Sequence, residues 1–153
     1  MRAIVQRVEK ASVLIKSENI MRSINRGIVI LLGIRKDDDE KDIDYLVEKI
    51  YSLRLFSDEK DKLNLSLKDV NGQILLISQF TLYADCKKGR RPDFTNSASK
   101  ELAKFLYDRF YDKFKEKGVF LEQGDFGKYM LVEIYNDGPV TLILESRKQV
   151  GEE

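Results

Sequence analysis

The spacing of apolar residues divides the chain into short strands and two longer helices. Two β-branched runs near the start, residues 3–8 and 11–15, are separated by a charged pair and predict a hairpin. Residues 17–27 are polar and predict a loop that contains at most a short strand. Residues 28–34 are apolar on both faces, which is typical of a central strand that is covered on both sides.

Helical periodicity predicts one helix after residue 40 and a second after residue 97. The acidic cluster at residues 37–40 suits the start of the first helix, because a helix N-terminus favours capping groups and negative charge. The second helix is predicted to be capped within residues 95–97 and to end at Gly118. The predicted apolar stripes are Ile43, Leu46, Val47, Ile50 and Leu53, then Ala98, Leu102, Phe105, Leu106, Phe110 and Phe114.

The same acidic cluster could hold a divalent cation, but the cap already accounts for its charges, and the glycine spacing of a calcium loop is missing. Short extended segments complete the predicted sheet: residues 55–56, 63–67, 73–81, 119–121, 129–135 and 140–144. Asn71-Gly72 predicts a turn, and residues 136–139 predict a hairpin turn between the last two strands. Short strands with two helices, in no regular alternation, predict an α+β fold.

Composition limits the chemistry that the chain can perform. The 153 residues predict a single domain over residues 1–148, with residues 149–153 as a disordered tail. No apolar run approaches the roughly 18–20 residues of a membrane span, and no apolar leader is visible, so a cytoplasmic protein is expected. With no histidine and only Cys86, the chain has no Ser-His-Asp or Cys-His arrangement and lacks the usual ligands of zinc, copper or iron. We therefore expect no metal, and any hydrolysis requires another proton acceptor.

The end of the predicted strand at residues 73–81 carries the first candidate chemistry. An apolar run, expected to be buried, is followed there by Ser78, Gln79, Phe80 and Thr81, at the point where the strand is predicted to leave the sheet. A rigid sheet could fix these polar groups for catalysis. The alternative is structural, since a hydroxyl at a strand end commonly satisfies a backbone group.

A basic patch, defined as Lys87, Lys88, Arg90 and Arg91, follows closely. The net charge of the chain is only +1, so any contact with RNA depends on local patches of this kind. Arginine can grip phosphate oxygens with two parallel hydrogen bonds, which favours RNA or phosphate binding. A solvated turn is the alternative.

Five segments together resemble the D-aminoacyl-tRNA deacylases, also called D-tyrosyl-tRNA deacylases. They are SQFTLYAD at residues 78–85, KGRRPDF at 88–94, the opening residues 1–8, residues 126–130 and NDGPVT at 136–141. The resemblance runs from Met1 to about Ser146. It implies a bent, largely antiparallel or mixed sheet, barrel-like in the dimer, that carries the two helices.

The resemblance also implies an activity and the residues that perform it. The activity is hydrolysis of the ester of D-aminoacyl-tRNA, and of mischarged glycyl-tRNA, as chiral proofreading without a cofactor. The implied roles are catalysis for Ser78, Gln79, Phe80 and Thr81, substrate binding and chiral selection for Gly138, Pro139, Met130 and Asn136, and tRNA binding for the basic patch. The implied partners are tRNA and a second copy of the chain, with Gly138-Pro139 inserted across the interface of a homodimer.

Two other functions fit the sequence. A non-catalytic RNA-binding module would use the basic patch and leave the ester intact. A direct serine or threonine esterase would use Ser78 or Thr81 on small esters, including those that lack a neighbouring hydroxyl.

Overall fold

The structure is a computed structural model that describes residues 1–147. In chain order its elements are β1 (Arg2–Ile15), β2 (Ile20–Ile24), β3 (Gly27–Gly33), α1 (Glu40–Ser52), β4 (Arg54–Ser57), β5 (Leu63–Ser66), β6 (Gln73–Ser78), a 3-10 turn (Phe80–Tyr83), α2 (Lys100–Glu116), β7 (Leu121–Gln123) and β8 (Met130–Glu145). The predicted tail, residues 149–153, lies outside the described residues.

The main sheet is mixed and bends into a nearly closed barrel, which confirms the predicted α+β class. Its strand order is β2-β1-β3-β6-β7, with β8 added to β1, and β4 and β5 form a separate pair. The strands β3, β6 and β7 run parallel to one another, whereas β1 pairs antiparallel with β2, β3 and β8. Arg22 on β2 donates to the carbonyl oxygen of Gln123 on β7 at 2.8 Å, which draws the two ends of the sheet together.

The predicted hairpin between residues 3–8 and 11–15 is wrong, because β1 is continuous. Its first half pairs with β3 and its second half with β2, so the charged pair Glu9-Lys10 marks a change of neighbour. The register against β8 shifts on both sides of Val8, and the buried face changes at the same place. This irregularity interrupts the alternation of buried and exposed residues along the strand, and in the sequence such an interruption resembles a turn. The real hairpin joins β1 to β2, inside the segment predicted as a loop.

The predicted hairpin turn at residues 136–139 is also wrong. The strand β8 runs through these residues without reversing and lies opposite the irregular part of β1. Two long strands therefore pair along almost their whole length, and the turn-forming residues sit in the middle of one of them.

Apolar residues form two clusters, one on each side of the bent sheet. One cluster lies between the sheet and the two helices and includes Ile30, Leu46 and Phe110. The other lies among the strands and includes Val13, Leu75 and Ile77. Because β3 and β6 contribute to both clusters, both their faces are buried, as their continuous apolar sequences predict.

The acidic cluster caps and anchors α1, as predicted. Asp39 is the N-cap and forms a capping box with Asp42. Asp38 is buried and accepts from the Met1 amino group at 2.6 Å, and Asp37 pairs with Arg35. Within residues 1–147, no group of three or more acidic or cysteine side chains is placed to hold a metal ion.

The second helix begins and packs slightly differently from the prediction. Its N-cap is Ser99, which accepts from the Leu102 amide, so the cap lies beyond the predicted residues 95–97. Phe105, predicted in the apolar stripe, is 53% exposed, whereas Tyr107 is fully buried and donates to the Leu76 carbonyl at 2.9 Å. The helix ends before Gly118, as predicted. No helix in the described part of the chain is both long and apolar enough to cross a membrane.

Candidate active site

A pocket of about 550 Å³ opens where β6 ends, where α2 begins and where the chain enters β8. Its lining consists of Ile77, Ser78, Gln79, Phe80, Ala98, Lys100, Ala103, Phe126, Gly127, Lys128, Tyr129, Met130 and Val132. The structure therefore brings Ser78, Gln79, Phe80 and Met130 together, four of the residues that the sequence singled out. The strand β6 ends at Ser78, so the predicted strand over residues 73–81 is three residues too long.

Phe80 and Thr81 begin the 3-10 turn, and their amide groups are free. The Gln79 amide donates to the Leu32 carbonyl at 2.8 Å, which continues the sheet for one more residue. Among residues 1–147, no acceptor is bonded to the Phe80 or Thr81 N–H, as expected for the first residues of such a turn. The Gln79 donor, in contrast, is occupied, so the unbonded amides begin at Phe80. Free donors at the edge of a pocket can stabilise an oxygen atom that becomes negatively charged.

Contacts to the sheet hold the 3-10 turn in place. Arg2 donates to the Leu82 carbonyl at 2.7 Å, pairs with Glu145 and lies over the Tyr83 ring. A Cβ on Gly33 would lie 2.8 Å from the Leu82 Cβ, so only glycine allows the turn to pack this closely on β3. The free amides are thus fixed by the first and third strands rather than by the loop itself.

Among residues 1–147, no carboxylate or amine is hydrogen-bonded to the hydroxyl groups at this site. Thr81 is exposed, and its Oγ1 accepts a short hydrogen bond from the Gln79 side-chain amide. Ser78 is half-buried, and no carboxylate or amine of residues 1–147 hydrogen-bonds to its hydroxyl. Burial raises the pKa of the nearby Tyr83 well above its ordinary value, so this phenol stays protonated near neutral pH.

The basic patch occupies a loop that is closed by a pair of backbone hydrogen bonds between Asp85 and Asp93, at 2.8 and 2.9 Å. All four cations are exposed, and none of them forms an ion pair within the described chain. The base of the loop touches the pocket, because the Phe94 ring lies 5.1 Å from the Phe80 ring. A ligand in the pocket could therefore extend over these cations.

Gly138, Pro139 and Asn136 lie far from the pocket of the same chain. Met130 begins β8 at the pocket, and Gly138 lies eight residues further along the strand, roughly 25 Å away. The Gly138-Pro139 bond is cis, and all three residues are exposed. One chain alone does not bring these residues to Phe80.

Arg7, which sequence reasoning missed, supports this part of β8. It is buried, donates to the Asp137 carbonyl at 3.0 Å and to the Leu55 carbonyl at 3.0 Å, and pairs with the Asp137 carboxylate. A charged residue on an otherwise apolar strand face was the signal that could have found it. Lys100, Lys128 and Tyr129 were also missed as pocket residues, because their closeness to β6 depends on the packing of α2 and β8.

Comparison with known proteins gives consistent matches over nearly the whole chain. A family model described as D-Tyr-tRNA(Tyr) deacylase matches residues 4–145. A D-aminoacyl-tRNA deacylase of Clostridioides difficile (strain 630) is 53% identical, and one of Fervidobacterium nodosum is 56% identical, each over 97% of this chain and 99% of the relative.

Two solved structures share the fold. One, named c-Myc DNA Unwinding Element Binding Protein, has a TM-score of 0.89 and 40% identity and covers 97% of this chain and 100% of its own. The other, named a probable eukaryotic D-amino acid tRNA deacylase, has a TM-score of 0.83 and 18% identity and covers 94% of this chain and 98% of its own, so it supports the fold alone.

Proposed function

The chain belongs to the D-Tyr-tRNA(Tyr) deacylase family, and we propose that its pocket binds the aminoacylated 3′ end of tRNA. The enzyme is a hydrolase, a D-aminoacyl-tRNA deacylase, and the ester to be cleaved joins the D-amino acid to the terminal adenosine. The observation that carries this assignment of the site is the pair of free amides at Phe80 and Thr81 beside a pocket of about 550 Å³.

The free amides define where the reaction takes place. The ester carbonyl oxygen accepts from the Phe80 and Thr81 N–H groups, which stabilise the negative charge that develops as water adds to the carbonyl carbon. The bond from that carbon to the ribose oxygen then breaks, and the ribose oxygen takes the proton that the attacking water loses. Because the chain has no histidine and no carboxylate among residues 1–147 hydrogen-bonds to these hydroxyls, the neighbouring ribose hydroxyl of the substrate assists the proton transfer.

A homodimer accounts for the residues that one chain leaves apart. Gly138 and Pro139 lie roughly 25 Å along β8 from the pocket of their own chain, so they reach a pocket only in a second copy. Among the described strands β8 pairs only with β1, and its outer face exposes Leu131, Tyr135 and Ile143. Apolar residues of this kind suit an interface with another chain.

Chiral selection follows from this placement of residues 136–139 of β8. Backbone carbonyls around Gly138 and Pro139 receive the substrate α-amino group, and Met130 and Asn136 bound the space beside it. An L side chain would be directed into this backbone and rejected, whereas a D side chain points away. Glycine has no side chain to reject, so mischarged glycyl-tRNA is a second substrate. The reaction serves chiral proofreading of translation in the cytoplasm.

Hydrolysis rates of D-tyrosyl-, L-tyrosyl- and glycyl-tRNA with the purified protein test this function. We expect rapid loss of the D and glycyl esters and little effect on the L ester. A nucleic-acid-binding module, the second candidate, is favoured by the unpaired cations of the basic patch. It would shift the mobility of tRNA while leaving all three half-lives unchanged. A simple esterase would cleave esters that lack a neighbouring hydroxyl.

Replacing Thr81 by alanine is expected to keep most of the activity. The Thr81 side chain only accepts a hydrogen bond from Gln79, and its backbone N–H remains after the substitution. Losing one exposed neutral hydrogen bond lowers rates by less than about tenfold. Single-turnover deacylation of D-tyrosyl-tRNA measures the effect. Loss of turnover in a folded variant, or a trapped acyl-Thr81, would contradict the positioning role.

Replacing Arg90 and Arg91 together by alanine is expected to weaken tRNA binding and to change its dependence on salt. Both side chains are exposed and unpaired in the described chain, so each is free to contact a phosphate. The slope of log affinity against log salt should fall by about two, while turnover at saturating tRNA changes little. Arg109→Ala is the control, because Arg109 already pairs with Glu40. An unchanged slope would remove these arginines from the RNA surface.

A further inference from the structure

Lys100 is a cation of the pocket that has no partner in the described chain. It is the first residue of α2, is exposed and lines the pocket together with Ser78 and Phe80. Its Cε lies 3.8 Å from the position that a Cβ on Gly127 would occupy, so its aliphatic stem packs against Gly127, another lining residue. Within residues 1–147, its ammonium group makes neither a hydrogen bond nor an ion pair.

Two neighbouring lysines are neutralised, which distinguishes them from Lys100. Lys104, one helical turn further along α2, pairs with Asp108 at 2.7 Å and does not line the pocket. Lys128 lines the pocket but pairs with Glu18 and Asp125. Lys100 is thus the one unpaired cation among the described residues that line this pocket.

We propose that Lys100 binds the phosphate on the 5′ side of the terminal adenosine of the substrate. This inference rests on the proposed function. The aminoacyl end of the substrate carries a positive α-amino group, which an unpaired ammonium group would repel. The nearest anion of the substrate is the phosphate on the 5′ oxygen of the terminal ribose, one sugar ring away from the ester. With the ester carbonyl at the Phe80 amide, that phosphate needs a cation within the same pocket, and Lys100 is the described pocket residue that offers an unpaired one.

A phosphate bound at Lys100 would give the enzyme a contact with the nucleotide that does not depend on the attached amino acid. A lysine is suited to this role, because it binds phosphate as a point charge whatever base or amino acid is attached. The contact fixes the ribose relative to the Phe80 amide and so directs the ester into the pocket. Lys100 therefore acts in binding and positioning, and the bond-breaking step does not involve it.

Two non-hydrolysable competitors test the inference: the 3′-amide of D-tyrosine with adenosine, and the same compound with a 5′-phosphate. Each is measured as an inhibitor of D-tyrosyl-tRNA deacylation by wild-type protein, Lys100→Ala and Lys104→Ala. In the wild type and in the control Lys104→Ala, the phosphate should tighten inhibition about tenfold. In Lys100→Ala that advantage should disappear, while the constant for the adenosine compound stays unchanged.

Three results would overturn the inference. They are equal inhibition of the wild type by the two compounds, a phosphate advantage that persists in Lys100→Ala, and equal weakening of both compounds by that substitution. The last would mean that Lys100 only shapes the pocket. Failure of the proposed function looks different, because the wild type would then not hydrolyse D-tyrosyl-tRNA at all.

Discussion

Phe80→Pro should hydrolyse D-tyrosyl-tRNA about 10²–10³-fold more slowly than Phe80→Ala. Both variants lose the aromatic ring and its contact with Phe94, but only proline also removes the Phe80 N–H. That amide has no acceptor among the described residues, so its removal costs the fold no hydrogen bond. The ratio of the two rates isolates the contribution of one oxyanion donor.

The local backbone accepts proline at this position. Phe80 is the first residue of the 3-10 turn, where the backbone φ is close to the value that proline fixes. Gln79 before it has φ −138° and ψ 77°, which lies outside the α region that a following proline disfavours. Thermal unfolding of both variants checks that the fold is kept. Equal rates in two well-folded variants would show that the Phe80 amide does not stabilise the transition state.

Gly138→Ala should lower hydrolysis of D-aminoacyl-tRNA about 100-fold and reduce discrimination against the L enantiomer. Gly138 has a φ of +120°, a conformation that side chains rarely adopt, and a Cβ would lie 2.8 Å from the Arg7 Nη2. Arg7 cannot easily retreat, because it is buried and donates to the Leu55 and Asp137 carbonyls. The backbone of β8 around Gly138 must therefore shift, and the carbonyls that receive the α-amino group shift with it.

Gly118→Ala is the matched control for that substitution. Gly118 also has a positive φ, +75°, but nothing lies within 4 Å of a Cβ there. It lies just after the end of α2, in a different part of the chain from Gly138. It should cost stability without changing enantiomer preference. Rates on D- and L-tyrosyl-tRNA, with dimerisation measured by sedimentation, compare the two variants. If a folded, dimeric Gly138→Ala protein kept the wild-type preference for the D enantiomer, the role of Gly138 in chiral selection would be refuted.

The alternative to both catalytic predictions is a protein that binds nucleic acid without cleaving it. Such a protein would be indifferent to the Phe80 amide and to Gly138, but sensitive to the basic patch. The substitutions at Phe80 and Gly138 therefore separate catalysis from binding, because neither removes a positive charge.

The local sequence by itself determined the elements whose pattern is complete within one segment. The apolar residues 28–34 and 74–77 dictate β3 and β6, because strands covered on both faces have no polar side. Asp39 and the acidic first turn dictate the start of α1 in the same local way. Ser78, Gln79 and Phe80 were identifiable as site candidates because polar groups follow an apolar strand end.

Only the tertiary structure decided the elements and groups that depend on a distant partner. Residues 9–10 and 136–139 look like turns, but β1 and β8 pair through them, and the pairing energy of two long strands outweighs local turn preference. Phe105 and Tyr107 are both aromatic, and the face of α2 that meets the sheet decides which one is buried.

The same limit applies to the site. Gln79 and Phe80 are adjacent in sequence, yet only the Gln79 amide meets the Leu32 carbonyl, so the free donors begin at Phe80. Lys100 and Lys128 are both lysines, but within the described chain only Lys128 meets carboxylates, and one of them, Glu18, comes from a distant segment. Hydrogen bonding and charge compensation depend on what lies opposite a group in space, and the sequence around one residue does not contain that information.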